Sequence, residues 1–276
     1  MENMLQDKVA IITGSGRGIG QAAALKFASE GAKVVVSDID SEPANQTVEK
    51  IKMVGGEAVA YVGDATADDF AEGIVQAAAD AFGGIHIIVN NAGYTWDGVI
   101  HKMSDKMWDA MMDIHIKAPF KIIRAAAPFF RDAAKLEIEE SGRAVARKII
   151  NISSMSGTSG NAGQSNYAAA KSAVSGFTKS MAKEWGRFNV QCNVIAYGWI
   201  DTRLTKNKEE TEDLERDGDK VPVGIPKAQR QAMTMMIPLG RPGTPEEAAG
   251  PILFLASPLS DYVSGQVILV SGGLSM

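Results

Sequence analysis

The sequence predicts an α/β fold: a single domain built on a parallel sheet of seven strands with helices on both faces. Three observations lead there. Seven short apolar runs rich in β-branched residues recur along the 276 residues, as strands covered on both faces require. Longer stretches with apolar residues at helical spacing separate them, and strand–helix alternation implies parallel pairing. No break in composition and no internal repeat marks a second domain, and 45% hydrophobic residues are ample for one large core.

The elements follow in order. KVAIIT (8–13) is the first strand, and TGSGRGIG (13–20) leads from it into the helix GQAAALKFASEG. KVVVSD (33–38) and EAVAYV (57–62) are the next two strands. TADDFAEGIVQAAADAFGG is helical and ends on glycine, a common helix stop. IHIIVN (85–90), KIINIS (148–153), VQCNVI (190–195) and QVILV (266–270) complete the strands. Within this pattern SNYAAAKSAV (165–174) is helical and puts Tyr167 and Lys171 on one face, one turn apart. Such a pair is either a surface tyrosine beside a solvated lysine or a phenol whose pKa an ammonium lowers, which makes a general acid/base. The segment 203–240 escapes the pattern, charged over 206–220 and then Met-rich in AMTMMIPL. So long a connection inside a compact fold is functional or disordered.

The net charge of −5 is mild and the basic residues are scattered, so no electrostatic case for nucleic acid exists. No apolar run approaches the roughly 18 residues that span a bilayer, and MENMLQDKVAIITG lacks the regions of a signal peptide. A soluble, cytoplasmic protein is expected. Cys192, the single cysteine, excludes an internal disulfide and is expected in the core. His86 and His101 have no partners at metal-ligand spacing, so no metal site is expected.

The turn TGSGRGIG suits a phosphate. Glycines let the backbone approach, and a helix N-terminus offers free N–H groups and a favourable dipole. Its spacing reads as T-G-x-x-x-G-x-G on Gly14, Gly18 and Gly20, with Ile19 in the place of the third glycine of the commoner pattern. Asp38 ends the second strand, where a carboxylate hydrogen-bonds a ribose 2′-hydroxyl and repels a 2′-phosphate. That favours NAD over NADP. Arg17 is the counterweight, since a guanidinium near that ribose holds a 2′-phosphate.

Further marks stand in order after the predicted strands: DAT (64–66), NNAG (90–93), NISS (151–154) followed by YAAAK (167–171), and YGWIDT (197–202). With TGSGRGIG they make the chain resemble the short-chain dehydrogenase/reductase family across almost its whole length. The resemblance implies a Rossmann-type sheet in the order 3-2-1-4-5-6-7, with ligands at the strands' C-terminal ends. It implies that Tyr167 carries the proton, that Lys171 lowers its pKa and holds the nicotinamide ribose, and that Ser154 hydrogen-bonds the substrate oxygen, with Ser153 turned to the cofactor or the sheet. Gly14, Arg17, Gly18, Ile19 and Asp38 would hold the dinucleotide. Asp64 and Ala65 would lie beside the adenine, Asn91 and Gly93 near the adenine-side ribose and strand end, and Ile200 and Thr202 at the carboxamide and pyrophosphate.

Two departures from the family's pattern stand out. His115, in MMDIHIKAPF, occupies a position where the family often has asparagine, which there helps hold a water joining the lysine to solvent. An imidazole can relay a proton, or it can be a core histidine fixed by a backbone carbonyl. Tyr197 replaces the proline of the usual Pro-Gly and either packs on the cofactor or fills the core.

The resemblance and His115 imply an NAD(H)-dependent oxidoreductase of a 3-hydroxyacyl or 3-oxoacyl thioester. The alternatives are a dehydrogenase of a sugar, steroid or cyclic alcohol, and a non-catalytic dinucleotide-binding protein. Segment 203–240 is expected to be a substrate lid, wetted and mobile in its charged half. The apolar stretch 115–130 suggests a subunit contact, and a homotetramer is expected, with a homodimer as the alternative.

Overall fold

The strands are β1 (Val9–Ile12), β2 (Lys33–Asp38), β3 (Glu57–Val62), β4 (Ile87–Asn90), β5 (Arg147–Ser154), β6 (Val190–Tyr197), β7 (Leu214–Arg216), β8 (Asp219–Val221) and β9 (Val267–Val270). In the computed structural model, which describes residues 3–216 and 218–274, seven of them form one parallel sheet in the order β3-β2-β1-β4-β5-β6-β9. This is the expected topology, with β9 as the seventh strand of the sheet. β1, β4, β5 and β6 are buried almost throughout because helices cover both faces. β3 and β9 were expected to be equally buried, but they form the sheet's edges and are only partly covered.

The helices are α1 (Gly18–Ser29), α2 (Ser41–Met53), α3 (Phe70–Phe82), α4 (Asp105–Met112), α5 (Ala118–Ala125), α6 (Ala133–Ser141), α7 (Met155–Ser159), α8 (Ser165–Trp185), α9 (Lys227–Met236) and α10 (Pro245–Ala256). Apolar residues of α1, α2 and α10 make the core on one face; those of α3 to α6 and α8 make it on the other. β1 pairs with β2 on one side and β4 on the other. The strand order reverses at this point, and the divergence opens a crevice beyond the strands' C-terminal ends. The helical run 105–141 contains two π turns, Asp113–Lys117 and Pro128–Asp132. The wider turn, a feature frequent at functional sites, carries the buried His115 in the first of them.

The charged half of 203–240 is folded rather than merely wetted. β7 and β8 form an antiparallel hairpin outside the main sheet. Leu214, Val221 and Val223 are buried together against Tyr94, Trp96 and Leu204. Strands of three residues offer too short an alternation to read from sequence. Lys106 of α4 pairs with Asp219 at 2.5 Å across the hairpin's edge. No helix among the described residues is long and apolar enough to cross a membrane.

Candidate active site

A cleft of about 760 Å³ lies at the C-terminal ends of the strands. Every residue assigned to catalysis or cofactor by the sequence lines it: Ser154, Tyr167, Lys171 and His115 on one side, and the glycine turn, Asp38, Asp64, Ala65, Asn91, Gly93, Ile200 and Thr202 around the rest.

The glycine turn is shaped by close approach. Gly14 has φ +62° and Gly18 φ +55°, a region side chains rarely adopt. A Cβ on Gly20 would stand 2.2 Å from the Gly14 carbonyl oxygen, and one on Gly14 2.8 Å from Ala92 Cα. α1 begins at Gly18 with no side-chain cap, which leaves its first N–H groups for an anion. Asn91 is a clamp on this turn: its Nδ2 donates to the carbonyls of Thr13 and Gly14 at 2.9 and 3.0 Å. Asp38 accepts the Gly16 N–H at 3.0 Å and the Asp40 N–H at 3.1 Å. Arg17 lies 2.6 Å from Asp40 and 3.9 Å from Asp38, so two carboxylates already answer its charge. Asp64 accepts from the Thr66 N–H and hydroxyl, both at 2.8 Å.

On the opposite side, α8 carries Tyr167 and Lys171 one turn apart. Ser153 Oγ donates to the Lys171 carbonyl at 2.8 Å and so ties α8 to β5. Ser154 ends β5, and its Oγ accepts the Ser156 N–H at 3.1 Å. Lys171 is buried, with Nζ donating to the Ile152 carbonyl at 2.8 Å and lying 5.7 Å from the Tyr167 ring centre.

Electrostatically the pair departs from expectation. Burial pushes the Tyr167 phenol up to about 12, opposed by its hydrogen bond with Ser154 and reinforced by the charge of Asp97. Burial lowers Lys171 to about 7. Burial thus opposes the depression of the phenol that the ammonium was expected to give. Withdrawal from water disfavours both charged forms.

His115 has the backbone-carbonyl partner of its second reading. Its Nε2–H donates to the Tyr94 carbonyl at 2.8 Å, which fixes the neutral tautomer. Nδ1 is buried without a partner among the described residues. Burial and the nearby Lys171 hold the imidazole well below its ordinary pKa. The ring meets Tyr167 edge to face at 5.1 Å, and a Cβ on Gly93 would stand 2.2 Å from its Cε1. Such a ring is wedged between Gly93 and Tyr167. Tyr197 likewise belongs to the core: it is buried and its hydroxyl donates to the Ala248 carbonyl of α10. Cys192 is buried and its thiol is pushed up to about 12 by burial, as an inert packing residue would be.

Two site residues escaped the sequence reading. Both oxygens of Asp97 accept from Gln164 Nε2 at 3.0 Å. Gln164 Oε1 in turn accepts from Ser156 Oγ at 3.0 Å, so a polar chain runs from Asp97 to the serine turn. Burial raises the Asp97 carboxyl. The one sequence signal was the nearness of Gln164 to Tyr167; Asp97 sits in a loop with no periodicity.

The sheet, its crevice and the Ser–Tyr–Lys set define a dinucleotide-dependent oxidoreductase. Residues 14–275 match the family model described as Enoyl-(Acyl carrier protein) reductase. The chain is 37% identical over 270 residues to 3-oxoacyl-[acyl-carrier-protein] reductase FabG of Thermotoga maritima, covering 98% of each chain. It is 34% identical over 280 residues to (3R)-3-hydroxyacyl-CoA dehydrogenase of Rattus norvegicus, covering 99% of this chain and 98% of that one. It is also 34% identical over 272 residues to (2S)-[(R)-hydroxy(phenyl)methyl]succinyl-CoA dehydrogenase subunit BbsD of Thauera aromatica, covering 99% of this chain and 98% of that one. The chain belongs to the short-chain dehydrogenase/reductase family, whose members are oxidoreductases with a nicotinamide cofactor. The close-packed glycine turn and the uncapped start of α1 fit the cofactor's diphosphate.

Proposed function

We propose that the chain interconverts a 3-oxoacyl and a 3-hydroxyacyl thioester with NAD(H). The observation that carries this reading is the Ser154–Tyr167 hydrogen bond within the cleft, which puts two hydroxyls within reach of one carbonyl oxygen. Ser154 orients that oxygen by a hydrogen bond. Tyr167 gives it a proton in reduction and takes the proton back in oxidation. Lys171 holds the nicotinamide ribose, and His115 positions the Tyr167 ring. The nicotinamide supplies or accepts the hydride. The names of the relatives support thioester substrates, and Leu204, Val223, Met233 and Met236 give the cleft an apolar wall suited to an acyl chain.

NAD is the cofactor in this reading. Asp38 is poised for ribose hydroxyls, and Arg17 is held by Asp40 and Asp38 rather than left for a phosphate. Segment 203–240 is the substrate roof and sets acyl specificity. The assembly is a homotetramer, supported by the exposed Phe120 and Trp108 beside the first π turn. Sedimentation as a monomer at micromolar concentration would refute it.

The test of the activity is oxidation of NADH with acetoacetyl-CoA, with crotonyl-CoA alongside. Turnover of acetoacetyl-CoA is expected. Turnover of crotonyl-CoA alone would move the chemistry to a carbon–carbon double bond, the reaction named by the family model. Turnover of neither, with activity on sugars, steroids or cyclic alcohols, would exclude the thioester.

A further inference from the structure

The four carboxylates lining the cleft are each engaged. Asp38 accepts two backbone N–H groups, Asp64 holds Thr66, Asp97 holds Gln164, and Asp113 pairs with Lys117 at 3.0 Å. Two arginines, Arg203 and Arg216, line the same cleft with no ion pair among the described residues; Asp219, opposite Arg216 in the hairpin, is paired with Lys106 instead. Arg203 adjoins Thr202, and Thr202 Cγ2 would lie 3.5 Å from a Cβ on Gly18. Arg203 thus adjoins the residue that meets the glycine turn.

Arg216 has a different setting. It ends β7 in the hairpin roof and is half-buried. Its guanidinium lies 5.6 Å from the centre of the Tyr94 ring. Its hydrogen bond among the described residues runs from Nη1 to the neighbouring Glu215 carbonyl at 2.7 Å. Tyr94 packs against the hairpin cluster, and the Tyr94 carbonyl holds His115, whose ring touches Tyr167. Arg216 is thus linked to the acid/base end of the cleft by a short series of contacts.

A planar fork of N–H donors is matched by a carboxylate or a phosphate. We propose that Arg216 binds an anionic oxygen group of the substrate, either a carboxylate on the acyl portion or a phosphate of the carrier arm. The assignment rests on the thioester reading for its choice of ligands. It gives the hairpin a recognition role beyond that of an apolar cover.

The experiment is calorimetric titration of the NAD⁺-loaded protein, in which 3-oxo thioesters bind without reacting. Acetoacetyl-CoA carries phosphates, the 3-oxoadipyl thioester of N-acetylcysteamine carries a carboxylate, and acetoacetyl-N-acetylcysteamine carries neither. Arg216→Gln is expected to weaken one charged ligand about tenfold or more and to leave the neutral one within about twofold. The charged ligand that responds identifies the source of the anion. Arg216→Lys should retain part of the affinity. Unchanged binding of both charged ligands in Arg216→Gln overturns the proposal, as does equal weakening of all three ligands. A wild type that binds charged and neutral ligands alike overturns it too. Turnover with NADH, measured in parallel, separates the two readings. A wild type that discriminates by charge but reduces none of these thioesters defeats the reaction and keeps the site.

Discussion

The two walls of the cleft are built on different principles. The dinucleotide wall is backbone: a turn so tight that added methyl groups would collide at 2.2 and 2.8 Å, clamped by the amide of Asn91. The substrate wall is side chain: a hairpin held by three buried residues, an exposed ion pair to Lys106, and a helix, α9, with no fully buried residue. A backbone cradle recognises what all dinucleotides share. A side-chain roof is free to vary, and selectivity among acyl groups is expected to reside there.

The largest effect should come from the catalytic end common to both walls. Tyr167→Phe keeps the ring's contact with His115 and removes the proton carrier. Activity should fall by a factor on the order of 10² or more, with dinucleotide affinity little changed. Activity within about twofold of wild type would remove Tyr167 from the mechanism.

A second effect acts through pH. With Tyr167 held up at about 12, the phenolate is a minor form at neutral pH. Oxidation needs that form, so its rate should climb about tenfold per pH unit from neutrality upward, while reduction, which uses the neutral phenol, should not climb. A flat oxidation profile between about pH 7 and 9 would show that the bound cofactor resets the phenol.

On the dinucleotide wall, Asp38→Ala should abolish a preference for NAD(H) over NADP(H) of about tenfold, or about 1.4 kcal/mol. A wild type that favours NADP(H) would give Arg17 the deciding role and blur the contrast between the walls.

On the substrate wall, hydrogen exchange should find 203–240 less protected than the sheet in the free protein, and slowed by cofactor plus acyl thioester. Full protection in the free protein would make the roof as fixed as the cradle. The smallest effect is expected of Lys106→Ala, which breaks an exposed pair and should cost at most about 1 kcal/mol of stability.

The same contrast explains what could be read from the sequence. The strands, the glycine turn and the one-turn interval from Tyr167 to Lys171 were legible because each depends on local spacing, while the sheet order and the grouping of Ser154 with that pair came with the family resemblance. The hairpin was not, because each strand contributes three residues and its partners, Tyr94 and Trp96, lie more than a hundred positions earlier. Asp97 and Gln164 were hidden for the same reason, being 67 positions apart. The burial that raises the Tyr167 phenol was not legible, because spacing shows that two groups are close but not how dry they are. His115 and Tyr197 were recognised as departures, and their partners, the carbonyls of Tyr94 and Ala248, became visible only in three dimensions.

The stem of the roof has a consequence for engineering. The Gly224 N–H donates to the Leu204 carbonyl at 3.1 Å, the Ile225 N–H to Lys206 at 2.8 Å, and the Lys208 N–H to Ile225 at 3.2 Å. Chain entering the hairpin and chain leaving it are thus fastened at one point, and nothing in the sheet's register depends on how many residues lie between. Closing a longer or shorter loop across that stem changes the entropy only slowly, by about 0.6 kcal/mol for each doubling of length. Residues 209–223 are in effect a cassette: a graft site where, if the roof sets acyl preference as proposed, one preference is expected to be exchangeable for another while the sheet beneath keeps its shape.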